Sequence, residues 1–419
     1  MALLFLDSQT WVHRRVDALS LKADGTTVRA ISFDVTVPGD GREIWGSNNR
    51  VVVPLALIEK GALRSVSTKD PAGHPLPVLS TPQNVELTVE MLEALVPPPW
   101  FPNDYDGGLR NIFRAIVQSP KANQGGEAEK KREAARQAWN NWQGKLVVPD
   151  ELSAKVYAST LDRLVLGFLD HFLLAVHLKS EFVGTRCVLK FSYDRDLPLT
   201  RGGNLVAAAQ MVVPDVGFAE SQHIEVSAPP GVRIETLEVI QTVDGKPLGR
   251  TRDLPESERS VAHVAFTPLD RTAEGLVAVE LTPDPAGIHQ FSMASLVVLT
   301  AMVCLGLAEK NDIINLVDPR FAIPSQSASI LLVGPALFLS WMARSPEHDA
   351  VSQLLRPLRR VLVYCTVVLL LLAVAAAVPL TPTAWEWVWW IASWVTALAV
   401  VSYFVYRWNV PRRLHNLLH

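Results

Sequence analysis

Cysteine is scarce in this chain. Three residues in 419 (Cys187, Cys304 and Cys365) are too few for a disulfide scaffold or a four-cysteine zinc site, and two of them lie in apolar runs. Excess positive charge is also missing. The 39 Lys and Arg stand against 42 Asp and Glu, a poor electrostatic match for nucleic acid. The phosphate-loop, dinucleotide, nucleophile-elbow, zincin and Cys-x-x-Cys patterns do not occur, and neither does an Asn-x-Ser/Thr sequon. The sequence therefore assigns no catalytic residue, no cofactor and no metal ligand.

What is present is apolar bulk, unevenly placed. Residues 290–419 carry 9 Lys and Arg against 6 Asp and Glu, whereas residues 1–289 carry 30 against 36. Four apolar runs lie in the basic part, at about 291–308, 323–343, 361–380 and 385–406. Each is close to the roughly 20 residues a helix needs to cross the hydrocarbon core. Trp385, Trp387, Trp389 and Trp390 crowd the start of the fourth run, and Tyr403 and Tyr406 close it, as amphipathic rings at headgroup level would. The runs hold almost no ionisable residue, which disfavours a pump or coupled transporter.

Basic residues set the expected orientation. Arg344, Arg356, Arg359 and Arg360 lie in the segment 344–360, read here as a loop, and Arg407, Arg412 and Arg413 lie in the tail. The segment 309–322 has only Lys310 and Arg320, against Glu309, Asp312 and Asp318. Positive-inside then puts 344–360 and the C-terminus in the cytoplasm, and four crossings put the N-terminal region there too. Met1–Asp7 has no basic n-region, so no cleaved signal is expected. These seven arginines and four tryptophans are the candidate contacts with lipid headgroups.

The first 289 residues read as α+β and β-rich. Strands are expected at 28–37, 51–58, 64–69, 76–79, 172–178 and 186–193, and a helix capped by Thr81 or Asn84 runs to Leu95. Residues 97–150 read as a helical and loop insertion, with helices at 109–118 and 127–142 and with Trp139 and Trp142 on one face. A helix from about 150 carries the stripe Leu152, Val156, Leu161, Leu164 and Leu166 and ends near Gly167. Residues 215–289, with strands at 223–227, 233–242, 261–267 and 276–282, read as a juxtamembrane β-sandwich-like unit after an N-terminal region of 1–214.

The near misses are weighed as bland features. Asp104-Tyr105-Asp106-Gly107-Gly108 starts like a calcium loop, but Ala115 stands where a bidentate Glu is needed. His171 and His177 are about 20 Å apart on a strand, too far for one metal. Cys187 beside Arg186 is read as a core residue rather than an activated thiol. Glu347-His348-Asp349 is read as a solvated loop.

Several phrases resemble a group of uncharacterised bacterial integral membrane proteins with an N-terminal β-rich region and C-terminal transmembrane helices. They are V-P-L-A-L-I-E-K-G-A-L-R-S-V at 53–66, G-H-P-L-P-V-L at 73–79, V-L-K-F-S-Y-D at 188–194, H-I-E-V-S-A-P-P-G-V at 223–232 and M-A-R-S-P-E-H at 342–348. None is a catalytic signature, and the resemblance implies no activity. The leading expectation is a multi-pass, membrane-anchored cytoplasmic binding, scaffold or sensor module. Its partners would be the lipid bilayer, other proteins and further copies of itself, and not nucleic acid. An enzyme with a site built from distant residues and an oligomeric pore are the alternatives.

Overall fold

The computed structural model describes residues 7–22, 26–39, 49–61, 64–101, 108–122, 125–195, 199–201, 207–213, 216–243, 246–253, 260–270, 273–310, 349–378 and 380–408, with scattered positions between 333 and 340. Its strands are β1 (Val12–Leu21), β2 (Thr27–Thr36), β3 (Arg50–Glu59), β4 (Arg64–Lys69), β5 (His171–Lys179), β6 (Arg186–Arg195), β7 (Leu199–Arg201), β8 (Ala207–Val213), β9 (Ser221–Ser227), β10 (Val232–Val243), β11 (Lys246–Asp253), β12 (Val261–Phe266) and β13 (Glu274–Pro283). Four helices precede β5: α1 (Thr81–Leu95), α2 (Leu109–Val117), α3 (Gly126–Gln143) and α4 (Leu152–Asp170). Three long helices end the described chain: α5 (Gln290–Lys310), α6 (Asp349–Ala377) and α7 (Pro382–Trp408).

The strands form three sheets. One has six strands in the order β12-β9-β1-β2-β6-β4, one has five in the order β11-β10-β13-β8-β7, and β3 pairs with β5 alone. Most neighbours are antiparallel, but β1 and β9 are parallel, with Val16 opposite His223. The boundary expected at 214/215 runs through both larger sheets. β8, before it, pairs with β13, after it, and β1 pairs with β9 across it.

The six-stranded sheet serves two cores with its inner face. At one end, Ile31, Phe33, Val35, Leu189 and Phe191 pack with β3, β5 and α1–α4 in one apolar cluster. At the other, Leu19, Leu21, Ile224, Val226, Ala262 and Val264 pack against Met211, Val213, Leu237, Val239, Val277 and Val279 of the five-stranded sheet. The second cluster continues without a break into Leu296, Leu299 and Val303 of α5 and Leu358, Val361 and Leu362 of α6.

Residues 97–150 contribute to the first core. Phe113 and Trp139 are fully buried in it. Trp139 stacks on Trp142 with ring centroids 5.7 Å apart, and its Nε1 donates to Asp162 Oδ1 of α4 at 2.8 Å. Outside that core, Arg110 and Arg114 of α2 grip Glu86 of α1 with bonds of 2.9–3.1 Å.

Several local expectations need correcting. α1 is capped by Ser80, not Thr81 or Asn84: Ser80 N–H donates to Gln83 Oε1 at 3.1 Å in a capping box, one residue earlier than read. Leu76–Leu79 makes only an isolated bridge, Val78 to Val176, because Pro75 and Pro77 have no N–H to give a ladder. α4 runs to Asp170, past Gly167, and its stripe is Leu161, Val165, Phe168 and Leu169, while Leu152 and Val156 are exposed. The loop expected over 344–360 is helical from Asp349, because Leu354, Leu355 and Leu358 extend the buried stripe of Val361 and Leu362. Four strands or strand halves went unread: β1, β7, β8 and β11.

Candidate functional site

Two places gather the features with chemical or positional meaning: the junction of the sheets with the long helices, and the charged seam between the two cores.

At the junction, Asp284 and one irregular helical turn, Pro285–His289, separate β13 from α5. Ser292 of α5 is fully buried. Its hydroxyl donates to Ile288 O at 2.7 Å and lies 3.3 Å from Leu358 O of α6. At the same level Tyr403 of α7 meets His289, with the hydroxyl 3.3 Å from Nε2. At the other end of α5, the indole of Trp389 lies against Gly306. A Cβ at 306 would stand 2.0 Å from Trp389 Cη2 and 2.6 Å from Cζ3. Small residues let helices approach closely in membranes, and this notch is such an approach. α7 is therefore antiparallel to α5. The α6–α7 link is short, so α6 is antiparallel to α7 and parallel to α5.

All three helices are long and apolar enough to cross a membrane, over Gly287–Ala308, Leu354–Ala377 and Pro382–Val405. α6 is the most enclosed. α5 and α7 expose apolar side chains along their lengths, including Val297, Val298, Trp387, Trp390, Trp394 and Leu398. The sequence-selected residues divide between the two ends. Arg356 and Arg360 are exposed and Arg359 half-buried on the early turns of α6, beside the β-rich region, and Arg407 lies near the end of α7 at that same level. Trp385, Trp387, Trp389 and Trp390 lie at the opposite end. Arg344, Arg412 and Arg413 lie outside the described residues, as does most of the 323–343 run.

The charged seam follows from the alternation of the six-stranded sheet. Inward positions on β1, β2, β6 and β9 include Arg15, Asp17, Arg29, Tyr193 and Gln222, and the four other than Tyr193 are 0–1% exposed. They sit on the inner face where one core gives way to the other. Asp17 accepts from Arg29 Nε at 2.6 Å and pairs with Arg15 Nη2 at 2.8 Å. Arg29 Nη1 donates to the Tyr193 hydroxyl at 3.1 Å, and the Arg15 guanidinium lies 5.5 Å from the Phe33 ring centroid. Burial opposes ionisation of Asp17, but Arg29 and then Arg15 outweigh it and hold the carboxyl below the usual carboxylate range.

A second buried charge closes α2. Lys60 Nζ donates to Ile116 O at 3.1 Å, Ser119 O at 2.9 Å and Ser119 Oγ at 2.9 Å, which satisfies carbonyls at a helix C-terminus. Burial pushes its pKa down from 10.5 to about 8, with Asp170 opposing and Arg132 adding to the shift. Between those two values the unfolded chain holds a proton that the folded chain has released, so stability rises with pH there. Lys60→Met is expected to abolish that rise, about 3 kcal/mol at most. Chemical denaturation of both proteins at pH 8 and 10.5 measures the difference.

The remaining sequence candidates resolve simply. His171 and His177 stand at opposite ends of β5, and His171 Nδ1 lies 3.0 Å from Gly167 O. Cys187 is buried, and burial first, then the charge of Asp34, pushes its thiol pKa up. Arg186 is engaged elsewhere, donating from Nε and Nη2 to Asp34 at 2.9 and 2.7 Å. Residues 102–107 of the calcium-like loop, and Glu347 and His348, lie outside the described residues.

Sequence reading missed the charged seam, the Gly306 notch and a pair of facing histidines, His223 and His263. A signal for the seam was available: Arg15, Asp17 and Arg29 alternate in step with the apolar inward residues of their strands. No family model, curated protein or solved structure matches this chain.

Proposed function

We propose that this chain is a multi-pass protein of the cell membrane that holds a β-rich binding or sensing module rigidly against the cytoplasmic surface, for protein partners and for further copies of itself. The observation that carries this reading is the unbroken apolar cluster running from the two larger sheets into α5 and α6. A module on a flexible tether has no such continuity, and relative motion is the default where an interface is small and polar. Here a change on the sheets is mechanically coupled to the helices. In this reading β9–β13, within 215–289, are the juxtamembrane sandwich-like unit, with β9 and β12 in one of the larger sheets and β10, β11 and β13 in the other.

Helix direction supports four crossings. α5 leaves the β-rich side and ends on the far side, and α6 starts again on the β-rich side, so the chain between them has to return. The 323–343 run is long enough to do so, and Leu339 within it belongs to the same buried cluster as the helices. The arginines at the β-rich end of α6 and α7 support a cytoplasmic placement of that end.

Single cysteines in a background without Cys187, Cys304 and Cys365 test the crossing count. With a membrane-impermeant maleimide on intact cells, Asn315→Cys and Thr381→Cys are expected to label, and Ser345→Cys and Asn416→Cys only after permeabilisation. Labelling of Ser345→Cys together with Asn315→Cys in intact cells would remove the 323–343 crossing.

A further inference from the structure

We propose that His223 and His263 form a two-histidine site for a divalent transition-metal ion of the Cu2+ or Ni2+ class, with solvent in the remaining positions. Both side chains lie on the outer face of the six-stranded sheet. Ile224, Val226, Ala262 and Val264 alternate with them and point inward. β9 and β12 are antiparallel, with Ala265 opposite His223 and His263 opposite Glu225. The histidines are thus diagonal neighbours, a spacing that long and aromatic side chains bridge.

The rings meet at close range. His223 Nδ1 and His263 Nε2 are 3.0 Å apart, with ring centroids at 5.2 Å. The two nitrogens face each other along a hydrogen bond, and rotation of the rings brings both lone pairs onto one ion about 2.1 Å from each. Imidazole suits Cu2+ and Ni2+. The other nitrogen of His223 is already held, since Nε2 lies 3.2 Å from Ser221 Oγ. A hydroxyl there accepts from an Nε2–H in the tautomer that leaves the Nδ1 lone pair for a ligand, as outer partners of metal-bound histidines do. On binding, each ring stays neutral with its one proton on the far nitrogen, Nε2 of His223 and Nδ1 of His263, and the hydrogen bond between the rings gives way to two metal–nitrogen bonds.

The surroundings are mixed in charge. Asp253 of β11 accepts from the His263 backbone N–H at 3.2 Å, and Glu225 stands opposite His263 in register. Arg14 of β1, opposite Ser221, brings a positive charge to the same face. Among the described residues no set of three His, Cys, Asp or Glu gathers around one point, so the described residues contribute two nitrogens. β12 is an edge strand whose ladder partner is β9, and an ion shared between them would staple that edge.

The test uses the full chain in detergent, titrated with Cu2+ and followed by calorimetry and electron paramagnetic resonance. The expected result is one ion per chain at this site with coupling from two nitrogens. His223→Asn and His263→Asn should each weaken binding at least tenfold and remove the metal-dependent rise in melting temperature. His177→Asn, on β5 of the separate two-stranded sheet, should change neither. The proposal fails if the wild-type spectrum lacks two-nitrogen coupling, or if either of the paired variants binds like wild type. Melting temperatures without metal, expected to be unchanged, show that the variants are folded.

Discussion

Gly306→Val is expected to destabilise the helical part of the protein by at least about 3 kcal/mol. Overpacking usually costs about 1–3 kcal/mol because neighbours give way, but here the neighbour is a rigid indole. Three of its ring atoms lie within 2.8 Å of where the first added carbon would sit. α5 and α7 would have to separate, and the contact between His289 and Tyr403 at the other end would loosen with them. Gly306→Ala should show a smaller loss of the same sign. The cleanest readout is a double-mutant cycle. Trp389→Leu removes the indole, so Gly306→Val should cost much less in that background, a coupling that independent sites do not show. Unfolding in mixed micelles measures all four proteins. Equal costs in both backgrounds would mean that Trp389 does not cover Gly306.

Asp17→Ala carries the second large effect. Its carboxylate is fully buried between Arg15 and Arg29. Removing one member of a buried charge network typically costs 3–5 kcal/mol, because the charges left behind are desolvated and lose their partner. For a region of this size that is a fall in melting temperature of roughly 10 °C. The same pairing has an acid signature. Because the folded pKa of Asp17 is depressed, its contribution is complete above the unfolded value near 3.8 and is lost as pH falls through the folded one. Wild type and Asp17→Ala should therefore converge in stability as the solution is acidified below pH 4. A constant gap down to the lowest pH measured would show that the carboxylate's charge is not what matters.

The seam also explains which strands sequence reading found. β2, β5, β6, β10 and β13 carry apolar residues at most inward positions, which marks them as strands, and β3 shows as a continuous apolar run. β1 places Arg15 and Asp17 inward, so its hydropathy pattern inverts where the two cores meet. β11, Lys246–Asp253, has no buried residue at all, being an edge strand, and so offers no apolar rhythm. The long helices were legible from length alone. Their relation was not, because it depends on one glycine meeting one tryptophan 83 positions later in the chain. The extension of α6 back to Asp349 was hidden by its arginines, which read as a loop by charge but occupy the outer side of a helix whose leucines face inward. The histidine pair could not be found by spacing, since 40 residues separate its members and only the β9–β12 register brings them together.

The central claim is that the β-rich region sits on the cytoplasmic face of the membrane, fixed to helices that cross it. Protease accessibility of residues 1–289 in intact and lysed spheroplasts tests it most directly, read with an antibody to that region. The account predicts that the region is protected in intact spheroplasts and cut only after lysis. Cleavage in intact spheroplasts would contradict it and turn the β-rich region to the outside of the cell.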